Sequence, residues 1–405
     1  MSFARLRALL GPESVDRDLD NVPRASPASV DALALVCRLA HDEGWKIRIE
    51  GHATWQEPDA PADLAVSTRA LDSVLSVSPA DLVASVQAGA TMDEIRRGLA
   101  EQGAWLAMDP PGRPERSIGS VVATGTAGAL RHGFGPIRDH VLGCTVVTGD
   151  GRVVRAGGRV VKNVAGYDLT KLNVGGFGGF GILAELHLRL RAVPERDVTL
   201  LHRGSRDALT SLARDLSAAG VTVAALELLS PALAADSDWV LAVRLVGLGD
   251  ALSPEIGRVT GLTTATGGGW EALASDRTAG FWGLARRAAL GGPTTIRLGA
   301  LADGLDETID LVGRELDEGL ISAGAGVGLL RWTGDAPVER LRAVRGAAAA
   351  REVPLTVERA PWEVRQALGH FGAYREGVGV LVGGLRETFD PLHSFRVTLE
   401  GVERG

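Results

Sequence analysis

The chemistry this chain could do lies less in reactive side chains than in where it lacks them. It has 405 residues and 53 glycines, against a usual glycine share of about 7%. The excess concentrates between Gly103 and Gly181. Five loops carry small or rigid residues: Gly51-His52-Ala53-Thr54-Trp55; Asp109-Pro110-Pro111; Ser117-Ile118-Gly119 on through Gly125 to Gly128; Arg138-Asp139; and Lys162-Asn163-Val164-Ala165-Gly166-Tyr167-Asp168-Leu169, which leads into Gly175–Gly181. Where Cβ atoms are missing, main-chain N–H groups can approach a ligand closely. Each loop alone reads as a sharp turn. Several at one site would suit a long, multi-part ligand such as a dinucleotide.

Other chemistries are excluded by pattern. Gly176-Phe177-Gly178-Gly179-Phe180-Gly181 matches G-x-G-x-x-G. A Rossmann fingerprint needs a helix N-terminus after it, and here an alternating strand follows. There is no G-x-x-x-x-G-K-[ST] and no G-x-S-x-G, so neither a P-loop nor a nucleophile elbow is expected. The eight histidines include no helical pair with a neighbouring carboxylate, so no metal site is expected. Two distant cysteines, Cys37 and Cys144, exclude a disulfide scaffold and a cysteine-ligated iron–sulfur cluster within the chain. A formal charge of −7 argues against a nucleic-acid partner. No apolar run is long enough to span a bilayer, and the first residues read as no signal peptide.

The elements that must hold these loops are short. A helix is expected from Ser26-Pro27 through Ala40, then strands over 46–50, 64–67, 73–78 and 82–88. Thr91 and Glu94 form a capping box, and their helix ends at Gly103. Strands over 141–148 and 152–156 flank Asp150-Gly151, a hairpin signal, and residues 182–191 alternate as a half-buried strand. Pro194 breaks the pattern. Beyond it, strands over 223–229, 240–245 and 294–298 alternate with amphipathic helices over 306–320 and 337–350. The fold class expected is α+β, with residues 1–194, 195–375 and 376–405 as successive units.

Taken together, three strings carry a family resemblance. Arg138-Asp139-His140-Val141-Leu142-Gly143, Val161-Lys162-Asn163-Val164-Ala165-Gly166-Tyr167-Asp168-Leu169 and Gly178-Gly179-Phe180-Gly181-Ile182-Leu183-Ala184-Glu185 resemble the FAD-binding domain of the vanillyl-alcohol oxidase / p-cresol methylhydroxylase superfamily. Within it they resemble the FAD-binding subunits of glycolate oxidases. The resemblance runs from about residue 27 to 194 and returns near Leu385–Pro391. It implies a two-subdomain FAD domain, a cap domain with an antiparallel sheet, and a tail that returns to the FAD domain. It also implies that Gly51–Trp55 wraps the pyrophosphate, that Asp109, Pro110, Ser117, Ile118, Gly119, Gly125, Gly128, Arg138, Asp139 and Gly166 belong to the cofactor site, that Ile182 offers backbone hydrogen bonds, and that Lys162 sets a cation near the flavin.

Three departures stand beside it. The phosphate loop reads Gly51-His52-Ala53-Thr54 where the family has consecutive glycines, and His52 is out of register with the histidine to which some relatives bind flavin covalently. The tail reads Phe389-Asp390-Pro391-Leu392 rather than F-N-P-G. The metal motif G-H-x-x-D-G-N-x-H is absent from the sequence. The implied activity is oxidation of glycolate or a related 2-hydroxy acid by hydride transfer to flavin, with Arg297 or Arg331 as partners for a substrate carboxylate. Both arginines read equally as structural, and no catalytic base stands out. The alternative is a non-catalytic FAD-binding or scaffold subunit beside a catalytic flavoprotein and an iron–sulfur subunit. The implied location is cytoplasmic, with membrane association through partner subunits.

Overall fold

A computed structural model describes residues 2–18, 20–159, 168–263, 267–316, 319–372, 374–397 and 399. Three larger sheets organise the chain, beside a two-stranded pairing of Ala104–Trp105 with Arg191–Ala192. The first is mixed, in the order Val15–Arg17, Pro23–Ala25, Leu64–Ser67, Ile47–Glu50. Its last three strands run parallel, because the helix Val30–Asp42 carries the chain back between Pro23–Ala25 and Ile47–Glu50, and the loop over 51–63 carries it back again before Leu64–Ser67. That helix starts three residues later than the sequence suggests. Ser29, not Ser26, caps it, its hydroxyl accepting from Ala32 N at 3.1 Å.

The second sheet is antiparallel, in the order Val74–Ser78, Val83–Gln87, Ile182–Arg189, Val141–Val147, Val153–Gly157. The capping box forms as expected, with Thr91 and Glu94 bonding reciprocally at the start of Met92–Ala100. The strand Ile182–Arg189 serves two cores. Ile182 and Ala184 pack under the first sheet, whereas Leu186 and Leu188 pack under the helices Met92–Ala100 and Ile118–Thr124. A register shift between Leu183 and Glu185 produces the change of face, since one extra residue reverses the side-chain alternation.

The third sheet has eight antiparallel strands, in the order Glu271–Ala272, Arg196–Gly204, Trp239–Gly247, Ala225–Leu229, Leu320–Gly324, Leu329–Gly334, Thr294–Gly299, Leu355–Arg359. One face packs on the helices Arg206–Ala218, Leu252–Thr260, Leu305–Glu315 and Val338–Ala350. The Leu305–Glu315 helix stops short of 320 because Leu316 turns extended and Leu320 opens the next strand. The other face carries charge: Glu227, Arg244, Arg297, Arg331 and Glu358. That polar face meets the first half of the chain.

The tail crosses back. Phe395 is buried in the first core, and its neighbours bracket Ile47 through Ile47 N→Ser394 O at 2.7 Å and Arg396 N→Ile47 O at 2.8 Å. Asp390 secures this turn by accepting from Ser394 N at 2.7 Å and Phe395 N at 3.0 Å. The architecture is α+β, with helices packed on largely antiparallel sheets.

Candidate functional site

A cleft runs between the first two sheets and the strand Leu355–Arg359, with an empty volume of about 1190 Å³, its open mouth included. One wall is the loop after Ile47–Glu50. None of the main-chain N–H groups of residues 51–57 donates to an acceptor among the described residues. Most of these residues are buried or half-buried, where N–H groups are nearly always paired, so the row offers unengaged donors at the cleft wall.

The loop holds its shape through its ends and side chains. Arg48 lies buried behind it, bonding Glu50 Oε1 at 2.8 Å and Ala60 O at 2.9 Å and pairing with Asp18. At the far end the indole of Trp55 donates to Glu358 O at 3.1 Å. Gln56 exchanges bonds with Ala360, donating at 2.9 Å and accepting at 3.1 Å. Asp59 accepts from Trp362 N at 2.7 Å and pairs with Arg365. Ala53 adopts a left-handed φ of +53°, so the backbone keeps a glycine-like conformation without glycine.

The opposite wall is the turn from Gly175 to Gly181 and the helix Ile118–Thr124. Phe177 N and Gly175 N donate to Ala123 O at 2.7 Å and Val122 O at 3.0 Å, which fastens the turn to the helix end. At Gly181 φ is +145° and a Cβ would overlap Val146, so only glycine fits. The strand Ile182–Arg189 follows at once, as the G-x-G-x-x-G reading requires if it is no Rossmann loop. Phe177 stacks on His370 with ring centroids 3.9 Å apart.

The closed end of the cleft is charged. Glu358 is fully buried between Arg331 (2.8 Å) and Arg297 (3.2 Å). Burial pushes its carboxyl up, but Arg331, Arg297 and Arg116 together hold it below the usual carboxylate range. Arg116 lies over the Trp55 ring at 4.0 Å and bonds Pro111 O and Thr124 Oγ1, each at 2.7 Å. Burial brings its guanidinium down to about 9, so it stays charged at neutral pH. Burial also pushes His370 down to about 4, against a bond between Nδ1 and Val357 O at 2.9 Å. At neutral pH Nδ1–H donates to that carbonyl, which leaves the unprotonated Nε2 as an acceptor.

The expected site residues divide in two. Gly51, His52, Ala53, Thr54, Trp55, Ser117, Gly119 and Ile182 line the cleft. Within this set, Gly119 N and His52 Nε2 already bond Ala88 O (2.8 Å) and Gly89 O (2.9 Å). Ile118, Gly125, Gly128, Asp109, Pro110, Arg138 and Asp139 do not line it. Ile118 is fully buried in the second core. Asp109 turns inward to accept from Leu130 N at 3.0 Å, and a Cβ at Gly128 would overlap Asp109 O. Arg138 and Asp139 pair at the surface at 3.7 Å. Arg297 and Arg331 stand one layer behind the cleft, bonding Gly125 O (3.3 Å) and Ala127 O (3.0 Å) as well as Glu358. Lys162 and Gly166 lie outside the described residues.

Sequence reasoning passed over Gln56, Asp59, Phe177, Glu358, Arg365 and His370. All but Asp59 line the cleft. Gly369-His370-Phe371-Gly372 carried the one signal, as a fragment of a metal motif. Among the described residues no group of three or more His, Cys, Asp or Glu side chains is placed to hold a metal.

The chain carries an FAD-binding domain. Residues 24–157 match the family model of the FAD binding domain, which covers the loop at 51–57 and the Ile118–Thr124 helix. The loop at 51–57 fits that cofactor, with unengaged N–H donors for phosphates and small residues opposite. A stretch of 128 residues is 38% identical to glycolate oxidase subunit GlcE of Escherichia coli (strain K12), covering 31% of this chain and 37% of that protein. Another of 171 residues is 33% identical to glycolate oxidase subunit GlcD of Bacillus subtilis (strain 168), covering 42% and 36%. D-2-hydroxyglutarate dehydrogenase of Xanthomonas citri pv. viticola is 33% identical over 189 residues, covering 46% and 40%. The chain thus spans between a third and two fifths of the length of these relatives. Alkyldihydroxyacetonephosphate synthase has the same fold, with a TM-score of 0.74 at 14% identity over 97% of this chain and 84% of that one. No helix among the described residues is long and apolar enough to cross a membrane.

Proposed function

We propose that the chain is an FAD-dependent oxidoreductase that oxidises, or helps to oxidise, glycolate or a related 2-hydroxy acid. The observation that carries this reading is the row of main-chain donors at residues 51–57 with no acceptor among the described residues. In this reading Gly51–Trp55 hold the phosphates, and Ser117, Gly119, Phe177 and Ile182 border the rest of the cofactor. Bound FAD supplies the two-electron redox chemistry. Arg365 on the cleft wall and Arg116 buried behind Trp55 set positive charge at this end of the cleft, which would favour a substrate carboxylate. His370 Nε2, held by the Nδ1 bond to Val357 O, is an acceptor for a substrate hydroxyl proton. Residues 1–194 would form the FAD domain, 195–375 the cap, and 376–405 the returning tail.

A second reading is an FAD-holding subunit beside a catalytic flavoprotein and an iron–sulfur partner, in the cytoplasm or at a membrane through those partners. The likeness to proteins named as glycolate oxidase subunits favours it. Anaerobic addition of glycolate, D-lactate and D-2-hydroxyglutarate to the FAD-loaded chain separates the two. Bleaching of the visible flavin band by one of them supports the enzyme. A flavin that bleaches only after partner subunits are added supports the second reading, and a chain that takes up no FAD overturns both.

A further inference from the structure

We propose that Arg396, on the returning tail, supplies the positive charge that holds the cofactor's phosphates in the cleft, an inference that rests on the reading of residues 51–57 as the phosphate wall. Main-chain N–H groups are dipoles and carry no net charge. A pyrophosphate held by them alone would keep its charge uncompensated inside the cleft.

Three arginines line the cleft among the described residues: Arg48, Arg365 and Arg396. Two of them are taken. Arg48 is buried against Asp18 and Glu50. Arg365 pairs with Asp59 and donates to Ala360 O at 2.9 Å. The guanidinium of Arg396 makes no ion pair or hydrogen bond among the described residues. The cleft therefore keeps one lining arginine uncommitted, beside a wall of uncommitted N–H donors. A guanidinium fork suits phosphate oxygens.

The fold fixes the backbone on both sides of this residue. Before it, Lys46 Nζ donates to Leu392 O at 2.9 Å and His393 O at 3.1 Å, and Arg386 Nη2 donates to Phe395 O at 3.1 Å. Beyond it, the Tyr374 hydroxyl bonds Leu399 O. Phe395 fills the first core while Arg396 stands exposed at the cleft. The direction of the tail matters too. Phe395 bridges Ile47 in parallel, so Arg396 lies one residue further along, towards the loop that starts at Gly51. Three residues of strand, about 10 Å, separate its level from Gly51, most of which an extended arginine side chain covers.

The test is FAD titration of the full chain and of Arg396→Gln and Arg396→Lys, at low and at high sodium chloride, with Tm of each chain measured without FAD. Arg396→Gln should weaken FAD binding about tenfold at low salt and leave Tm unchanged. Salt should weaken FAD binding less in Arg396→Gln than in the wild type, because the screened charge is gone. Arg396→Lys should recover most of the affinity. Wild-type FAD affinity in Arg396→Gln, or equal losses in both variants with an unaltered salt dependence, would overturn the role of Arg396 and leave the cleft reading standing. A wild-type chain that takes up no FAD would overturn the cleft reading and this inference with it.

Discussion

Two loops bordering the same domain junction look alike in sequence and differ in what they do with their polar backbone. Residues 51–57 line the cleft with N–H groups that find no acceptor among the described residues, while the side chains of Trp55 and Gln56 tie the loop to Glu358 and Ala360. Residues 125–130 are used up by protein: Gly125 O and Ala127 O accept from Arg297 and Arg331, and Leu130 N donates to Asp109. Small residues serve ligand access in one and close packing in the other. The difference teaches that a loop of small residues offers its backbone to a cleft only when the protein leaves that backbone without partners.

The largest effect should come from removing the charge that joins the two halves. In Glu358→Leu, Arg297 and Arg331 lose their common carboxylate and remain buried as uncompensated cations. Loss of a buried partner of this kind costs about 3–5 kcal/mol, so the urea midpoint should fall sharply. An unchanged midpoint would mean that loop 125–130 is not clamped by this cluster.

A smaller, pH-dependent effect should come from Glu227, on the same polar sheet face. Burial pushes its carboxyl up to about 7, against the bond from Ser322 at 2.8 Å and the charge of Arg331. A carboxyl that holds its proton more tightly folded than unfolded stabilises fully below about 4.5, and that contribution is lost as pH rises through about 7. The wild-type chain should lose about 3 kcal/mol across this window, and Glu227→Gln should flatten the slope. Urea titrations from pH 4.5 to 8 would show it. The same slope in both proteins would assign the pH dependence to another group.

The smallest effect concerns loop 51–57 itself. Ala53→Gly relieves a left-handed alanine that costs about 1 kcal/mol or more. FAD affinity and Tm should rise slightly together. A fall in FAD affinity would mean that the Ala53 methyl group contacts the cofactor.

Much of the frame was legible in the sequence because it depends on local patterns. The capping box at Thr91, the hairpin at Asp150-Gly151 and the strand after Gly181 all follow from spacing alone. The place of Gly51–Trp55 on the cleft wall was legible as well, through family likeness rather than composition. Glu358, Arg365 and His370 were not, since they reach the cleft from the other half of the chain and no local pattern links them to residue 55. Gly128 misled for the opposite reason. Its need for close approach is real, but what approaches is Asp109 O rather than a cofactor. Substitution there should therefore lower stability, and Gly128→Leu should fail to leave an intact chain.

The most direct measurement is FAD titration of the wild-type chain, Gly51→Val and Gly128→Ala, followed by quenching of tryptophan fluorescence and by the visible flavin spectrum. A Cβ at Gly51 would sit 2.6 Å from the Ser117 hydroxyl, a movable group, so the valine variant should fold. The account predicts that Gly51→Val loses FAD while keeping most of its stability, and that Gly128→Ala loses stability while its folded fraction still binds FAD. Full FAD retention in Gly51→Val, with loss of the cofactor from folded Gly128→Ala, would contradict it.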